Sequence, residues 1–344
     1  MIYQPYSKRR IFSGIQPTGG LTLGNYLGAI RNWVKLQNDF ECLFCLVDQH
    51  ALTIDKKKDA ASIADQCYDM AAALLACGID PDKHILFVQS HNSHHVELGW
   101  YFTCIARMGW LNRMTQYKDK AGKNKEQAST GLFTYPNLMA ADILAYRATH
   151  VPVGDDQKQH LELARDIANK FNNDWDVPDF FPVTEPLIFD EGARIMSLRD
   201  GTKKMSKSDP SDMSRLNLSD DADLIAQKIR KAKTDSLPLP DSMDALENRA
   251  EAKNLLTIYG CLAGLSFQQT LDHFQGQSFS YLKQQLVDCA IANLAPLTKR
   301  YNEFLDDKGA LDMILKQGAS RARALSTPVL HDVRQIMGLM PHMD

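Results

Sequence analysis

The stretch IFSGIQPTGGLTLGNYLGAI, Ile11 to Ile30, changes character half-way along. Ile11–Ser13 is a short apolar run that reads as a buried strand. A helix begins near Gly24 or Asn25, with Leu27, Ile30 and Val34 on one face. Gly14, Gly19 and Gly20 lie between them, and Gly24 and Gly28 follow in the opening of the helix. Glycine removes the Cβ atoms that would keep a flat base or a phosphate off the backbone. The start of a helix offers free N–H groups and a positive dipole end to an anion. Such a turn serves chain geometry as readily as it serves a ligand. No Gly-Lys-Ser/Thr follows, and the G-x-G-x-x-G spacing is absent, so two common phosphate-binding forms are excluded.

The strand–helix rhythm continues outward. Further strands are predicted at Cys42–Val47, Ile85–Val88, Thr149–Val153 and Arg194–Ser197, and a helix from Asp59 to Cys77 ends at Gly78. This repetition predicts an α/β fold with a doubly wound, parallel, Rossmann-like sheet. Ligands of such sheets bind beyond the carboxyl ends of the strands, and each predicted exit is polar. The glycine bend follows the first, Asp48-Gln49-His50 the second, and Gln89, Ser90 and His91 the third. GDDQKQH follows the fourth and TKKMSKSDP, Thr202 to Pro210, the fifth. Between Trp100 and Tyr146 the rhythm breaks into a helix (Val96 to Met108), a basic loop, KDKAGKNKEQAS, and a second helix opening at Pro136. From about Asp212 only helical patterns remain. The predicted division is a Rossmann-like domain, 1–210, with a helical insertion at about 100–148; an all-α C-terminal domain, 211–325; and a final helix, 326–344. That last helix places Pro328 in its first turn and Val329, Val333 and Ile336 on a stripe suited to packing back on the first domain.

At 344 residues the chain suits about two domains. Hydrophobic residues at 44% and a net charge of −3 fit a soluble globular protein whose nucleic-acid surface, if any, is local. No apolar run of about 18 residues is present, so no membrane span is expected. The N-terminal MIYQPYSKRRIFSG lacks the apolar core of a secretory signal. Seven scattered cysteines suggest free thiols and a cytoplasmic location. Cys42 and Cys45 are three apart on a predicted strand and therefore point to opposite faces, which suits core thiols rather than a redox pair. Cys67 and Cys77 fall on the helical stripe Ile63, Cys67, Met70, Leu74, Cys77 and are also expected in the core.

Lys203, Lys204 and Lys207 crowd a loop bounded by Gly201 and Pro210. Alone, this is a solvated turn or a site for a dense anion. Its context is more specific. TLGN, Thr22 to Asn25, stands at a strand exit, and KMSKS, Lys204 to Ser208, follows a late predicted strand. The pair resembles the two signatures of class I aminoacyl-tRNA synthetases. GIQPTG before TLGN, together with VDQHA, RMTQYKDK, YPNLMAADIL, VPVGDDQKQH and ARIMSL, is similar to the tryptophanyl-tRNA synthetase family between Ile11 and Pro210. The resemblance implies ATP-dependent activation of L-tryptophan to its adenylate and transfer to tRNA(Trp). The implied partners are tRNA(Trp) and a second copy of the chain, joined through the inserted region, with Mg²⁺ beside ATP. It implies catalytic roles for Thr22, Asn25, Lys204 and Lys207. It implies ATP contacts at Gln16, Pro17, Thr18, Gly24, Asn25, Gly154, Asp155, Asp156, Ile195, Lys204, Met205, Ser206, Lys207 and Ser208. Gly201 and its small polar neighbours would let the loop move.

Asp142 lies in PNLMAADILAY, where Met139, Asp142, Ile143 and Tyr146 share a helical face. A carboxylate there costs stability unless it finds a partner, ordinarily an Arg or Lys. The resemblance gives Asp142 to the substrate, since indole N–H is a donor and nothing else. Met139, Phe12, Val151 and Val153 are candidate walls. Tyr135 and Gln157 are candidates for the substrate backbone, and His50 is a pocket or structural histidine. His91, His94 and His95 include an i, i+4 pair, but without a supporting cluster no metal site is expected. Lys56–Lys58, Lys118–Lys125 and the set Lys228, Arg230, Lys231 and Lys233 are basic patches that could meet RNA phosphate or plain solvent. A tyrosyl-tRNA synthetase, a non-ligase nucleotidylyltransferase and a silent RNA-binding paralogue are the competing readings.

Overall fold

The structure, a computed structural model, describes residues 9–53, 62–115, 118, 128–154, 157–188 and 194–340. Five parallel strands form one sheet: β1 Arg10–Ile15, β2 Glu41–Leu46, β3 Ile85–Val88, β4 His150–Pro152 and β5 Glu185–Leu187. Their order is β3-β2-β1-β4-β5. The chain winds outward from β1 in one direction, then crosses back to β4 on its other side. The β1/β4 boundary is therefore the switch point, where a doubly wound sheet opens a crevice.

Side chains alternate across the sheet. Phe12, Leu43, Cys45, Ile85 and Phe87 enter one core, and Ile11, Cys42, Phe44, Leu46, Leu86 and Val88 enter the other. Cys42 and Cys45 thus lie on opposite faces, as their spacing requires. Helix α1 spans 23–36, as an opening turn Leu23–Asn25, a π-helical segment Tyr26–Ile30 and a closing Arg31–Leu36. A short helix α2, Asp48–Ala51, follows β2, and α3, Ile63–Ala76, is capped by the Ser62 hydroxyl accepting from Asp65 N. Cys67, Met70, Leu74 and Cys77 are buried, so the predicted stripe is the inner face of α3.

After β3 come α4 (His94–Ile105) and α5 (Met108–Asn112). Helix α6, Thr130–Leu144, is capped by Ser129, so Pro136 lies inside it rather than opening it. Buried Leu132 and the 140–144 run on either side of the proline keep the helix whole against the local cost. Helix α7, Lys158–Asp174, follows β4. The predicted strand at Arg194–Ser197 is not in the sheet. Met196 instead makes an isolated antiparallel bridge with Lys204, and Glu185–Leu187 supplies the fifth strand. Pro186 hid it: proline has no ladder N–H and is tolerated here because β5 is an edge.

The remaining elements are α8 (Ala222–Arg230), α9 (Ala250–Ala263), α10 (Phe267–Phe274), α11 (Phe279–Asp306) and α12 (Lys308–Ile336). A third core joins α8 to α11, and Leu23, Leu27, Ile195 and Met205 belong to it. Helix α12 is continuous through Ser326 and Pro328, so no separate helix opens there. Pro328 and Ala324 are both exposed, and the carbonyl that the proline leaves unpaired can be hydrated. Leu311 and Leu315 of α12 pack in one sheet-face core, and Ala319, Ala322, Val329 and Val333 in the other. The helix therefore wraps the β3 edge.

Candidate active site

A cleft of about 520 Å³ opens at the switch point. Gly14, Ile15 and Gln16 line it from the β1 end, and Val151, Pro152 and Val153 from the β4 end. Phe12, Val47, Ile143, Leu161 and Trp33 add apolar wall. Each residue expected around tryptophan lines this one cleft: Phe12, His50, Tyr135, Met139, Asp142, Val153 and Gln157. Asp142 is the only carboxylate among the described lining residues. The Tyr135 hydroxyl lies 2.6 Å from His160 Nε2, and burial pushes its phenol up to about 12.

Asp142 is 1% exposed. Among the described residues no Arg or Lys pairs with it, contrary to the ordinary expectation for a buried carboxylate. Gln89 Nε2 donates to Oδ1 at 2.7 Å, His95 Nδ1 lies 2.6 Å from the same oxygen, and His50 Nε2 lies 2.7 Å from Oδ2. Burial pushes the carboxyl up. The His50 charge, with the hydrogen bonds from His50 and His95, outweighs it and holds the group below its ordinary value. His95 thus belongs to this carboxylate rather than to a metal. Among the described residues no His, Cys, Asp and Glu group is arranged to hold an ion. His91 is exposed.

The glycine bend and the lysine loop close on each other beside the cleft. Gly19 has φ +70, in the left-handed region that favours glycine, and a Cβ on it would stand 3.2 Å from Lys207 Cδ. Lys207 Nζ donates to Gly19 O at 3.5 Å. Burial lowers the Lys207 ammonium's pKa, and the Asp69 charge opposes that. Met205 is buried against Gly24, and its N–H donates to Ile195 O at 3.0 Å. Ser206 and Ser208 pair through their hydroxyls at 2.8 Å, Lys204 is exposed, and Lys203 pairs with Asp200 at 3.3 Å. Gly201 is not a free joint. It is buried, and a Cβ there would stand 2.5 Å from the Ala250 carbonyl carbon, so it locks the loop's base onto α9.

Thr22 and Asn25 divide their work. The Thr22 hydroxyl is buried and caps α1: it accepts from Asn25 N at 3.3 Å, while Asn25 Oδ1 takes Thr22 N–H at 3.1 Å. Asn25 also lines the cleft, with its amide NH₂ left as a donor for a ligand. Gln16 joins it there, Pro17 is buried in the bend, Thr18 is half-buried, and Gly154 is exposed beyond β4. Asp155 and Asp156 lie outside the described residues, as do Lys56–Lys58 and most of the basic loop 118–125.

This geometry can be compared with known proteins. The family model described as class I tRNA synthetases (W and Y) matches residues 5–285.

The chain belongs to the class I tRNA synthetases of the W and Y type.

Within that family, curated tryptophan–tRNA ligases of Mesorhizobium japonicum and Brucella melitensis are each 53% identical. The first alignment covers 97% of this chain and 98% of the relative, the second 96% and 98%. The tryptophanyl-tRNA synthetase of Campylobacter jejuni, solved with ADP and tryptophan, is similar at a TM-score of 0.81 and 34% identity, covering 96% of this chain and all of that one. The tyrosyl-tRNA synthetase of Archaeoglobus fulgidus, at 19% identity and a TM-score of 0.63, shares the fold. The parallel sheet and the helical C-terminal region are those of class I synthetases.

Two features of this class I site escaped the sequence. Gln89 and His95 gather on Asp142 from distant positions; the i, i+4 spacing of His91 and His95 drew attention, but toward metal. Lys228 was placed in a basic patch. It is buried and pairs with Asp220 at 2.6 Å and Asp212 at 2.7 Å, which removes it from any RNA surface. Lys233 pairs with Glu251 at 2.8 Å.

Proposed function

We infer that this chain activates L-tryptophan with ATP and transfers it to tRNA(Trp), releasing AMP and diphosphate. One observation carries the reading at the level of the site: Asp142 is the only carboxylate among the described residues that line the largely apolar cleft at the switch point, and it is held ionised there. An indole fills such a space and offers one N–H. A phenylalanine side chain would fill it but offer no donor to the direction that Asp142 leaves open. Curated relatives named as tryptophan–tRNA ligases over nearly the whole chain support the same reading.

The substrate carboxylate is already a nucleophile at neutral pH, so the reaction needs alignment and charge stabilisation rather than a protein base. We propose that Met139, Phe12 and Val153 wall the indole, and that Tyr135, Gln157 and His50 orient the amino acid. ATP would lie along the bend from Gln16 to Asn25. The Asn25 amide would donate to phosphate oxygen, and Lys204 and Lys207 would meet the charge that grows on the leaving diphosphate. Thr22 serves through its cap. Backbone and hydroxyl groups of Met205, Ser206 and Ser208, and the region of Gly154 and Ile195, would complete the nucleotide contacts. Mg²⁺ would take its ligands from phosphate oxygens and water and would neutralise part of the triphosphate charge.

We also propose a homodimer through the inserted region. Trp100 is 64% exposed and borders a second depression with Leu52 and Val96, an apolar surface that suits burial by a like surface. Sedimentation of wild-type protein and Trp100→Glu tests it; a monomeric wild type would refute it. A unit boundary near residue 210 and a cytoplasmic location are further proposals. The second is supported by seven free cysteines, four of them buried.

Amino-acid-dependent exchange of labelled diphosphate into ATP tests the function itself. Tryptophan should support exchange and tyrosine should not. Exchange with tyrosine alone would end the reading.

A further inference from the structure

The buried chain behind Asp142 has a direction. A carboxylate only accepts, so the 2.6 Å contact with His95 Nδ1 must be a donation by the ring. His95 Nε2 lies 2.6 Å from the Tyr146 hydroxyl, and Asn92 Nδ2 donates to that same hydroxyl at 2.9 Å. Asn92 also donates to Ser326 Oγ of α12 at 3.0 Å. His95, Tyr146 and Asn92 are each fully buried. If Nε2 also carried a proton, the Tyr146 oxygen would receive two donors and its own buried proton would have no visible acceptor. The Nδ1–H tautomer satisfies every group: Asn92 donates to Tyr146, Tyr146 to His95, and His95 to Asp142.

A packing role alone does not account for this chain. It runs through a core otherwise built from Phe12, Phe87, Phe102 and aliphatic side chains, where polar groups are costly unless each is satisfied. Its terminus is the one carboxylate among the described residues that line the cleft. Two donors occupy Oδ1 and one occupies Oδ2, which leaves a lone-pair direction on Oδ2 for a ligand.

We propose that His95 and Tyr146 are positioning residues for specificity: by fixing the tautomer of His95 they hold Asp142 as a purely accepting group, and so set how strongly the site demands an N–H donor from its substrate. The proposal rests on the reading of Asp142 as the partner of indole. It assigns selectivity to residues that never touch the substrate, through a chain anchored on α12.

The test compares equilibrium binding of L-tryptophan with that of its benzothiophene analogue, in which sulfur replaces the indole N–H. Wild-type protein should prefer tryptophan by about tenfold or more, the scale of one hydrogen bond to a charged acceptor. Tyr146→Phe and His95→Ala should lose most of that preference through weaker tryptophan binding, with the analogue and ATP little changed. His95→Asn, whose amide can replace the Nδ1 donor, should recover part of it. A merely structural role would weaken both ligands alike and keep their ratio. An unchanged ratio in folded Tyr146→Phe protein therefore overturns the proposal even if His95→Ala fails to fold. A wild type that binds both ligands equally would instead remove the reading of Asp142 itself, and the proposal with it.

Discussion

Asp142 shows how a buried charge is made tolerable without a cation of fixed charge. Three side chains donate to it, and their combined effect exceeds the cost of burial, so its folded pKa lies below the ordinary value of about 3.9. The sign of the linkage follows. A carboxyl lowered on folding stabilises the protein fully above its unfolded pKa, and that contribution is lost as pH falls through the lower folded value. Thermal denaturation between about pH 6 and pH 2.5 should therefore show wild type losing stability below about pH 4 more steeply than Asp142→Asn. Parallel pH profiles for the two proteins would contradict the shift. The placement of Asp142 on an apolar helical face was legible from spacing alone. Its partners were not. Gln89, His50 and His95 come from three other elements, and no local pattern links them to α6.

At the scale of elements, the bend and the lysine loop form one clip. Lys207 lies along Gly19, and Asp69 of α3 approaches the same bend, with Oδ2 3.9 Å from a Cβ built on Gly20. Tyr301 of α11 donates its hydroxyl to Asp69 and holds it there. Asp69 is thus a counter-charge to Lys207, and it would oppose the anion proposed to bind there. Asp69→Asn keeps the link to Tyr301 and removes the charge. ATP should bind it roughly threefold tighter or better, with tryptophan binding unchanged; weaker ATP binding would count against the arrangement. The strand positions β1 to β4 were readable because each apolar run is bounded by polar or glycine-rich segments. The fifth was missed because Pro186 sits in a short edge strand, and the bridge at Met196 imitates a strand in sequence. Helix α12 was cut at Pro328 for the same kind of reason: a local rule about proline yields when burial on both sides continues the helix. That helix has its own requirement. A Cβ on Gly318 would stand 1.8 Å from the Leu86 carbonyl oxygen, a backbone atom of the β3 edge that cannot turn aside. Gly318→Ala should lower the melting temperature by about 5 °C or more. An unchanged melting temperature would mean that α12 does not lie against β3 as described.

At the scale of the whole molecule, the strand order puts the cleft proposed for the amino acid between β1 and β4, while the helical body holds the loop proposed to complete the nucleotide site. Leu23, Leu27 and Met205 share a core with α8 to α11. Leu23 N donates to Leu216 O and Leu218 N to Leu21 O, both within 2.9 Å. The bend is therefore tied on one side to the sheet and on the other to the helices. Gly201 is locked against α9, so a closing motion cannot come from a loose loop base. It must move the loop together with the helical body, and Lys207 travels with it. In the proposed function tryptophan meets residues of the sheet and of α6, whereas the leaving diphosphate meets Lys207. Removing this lysine should consequently separate binding from turnover. Lys207→Ala should lower the rate of tryptophan-dependent diphosphate exchange by about 10²–10³, the usual cost of losing one charge-stabilising contact in a transition state. Equilibrium binding of tryptophan should stay within about twofold of wild type, since the side chain stands outside the lining of the cleft. Loss of both in equal measure would show that the lysine loop supports the amino-acid pocket itself, and the division of labour between sheet and helical body would fail.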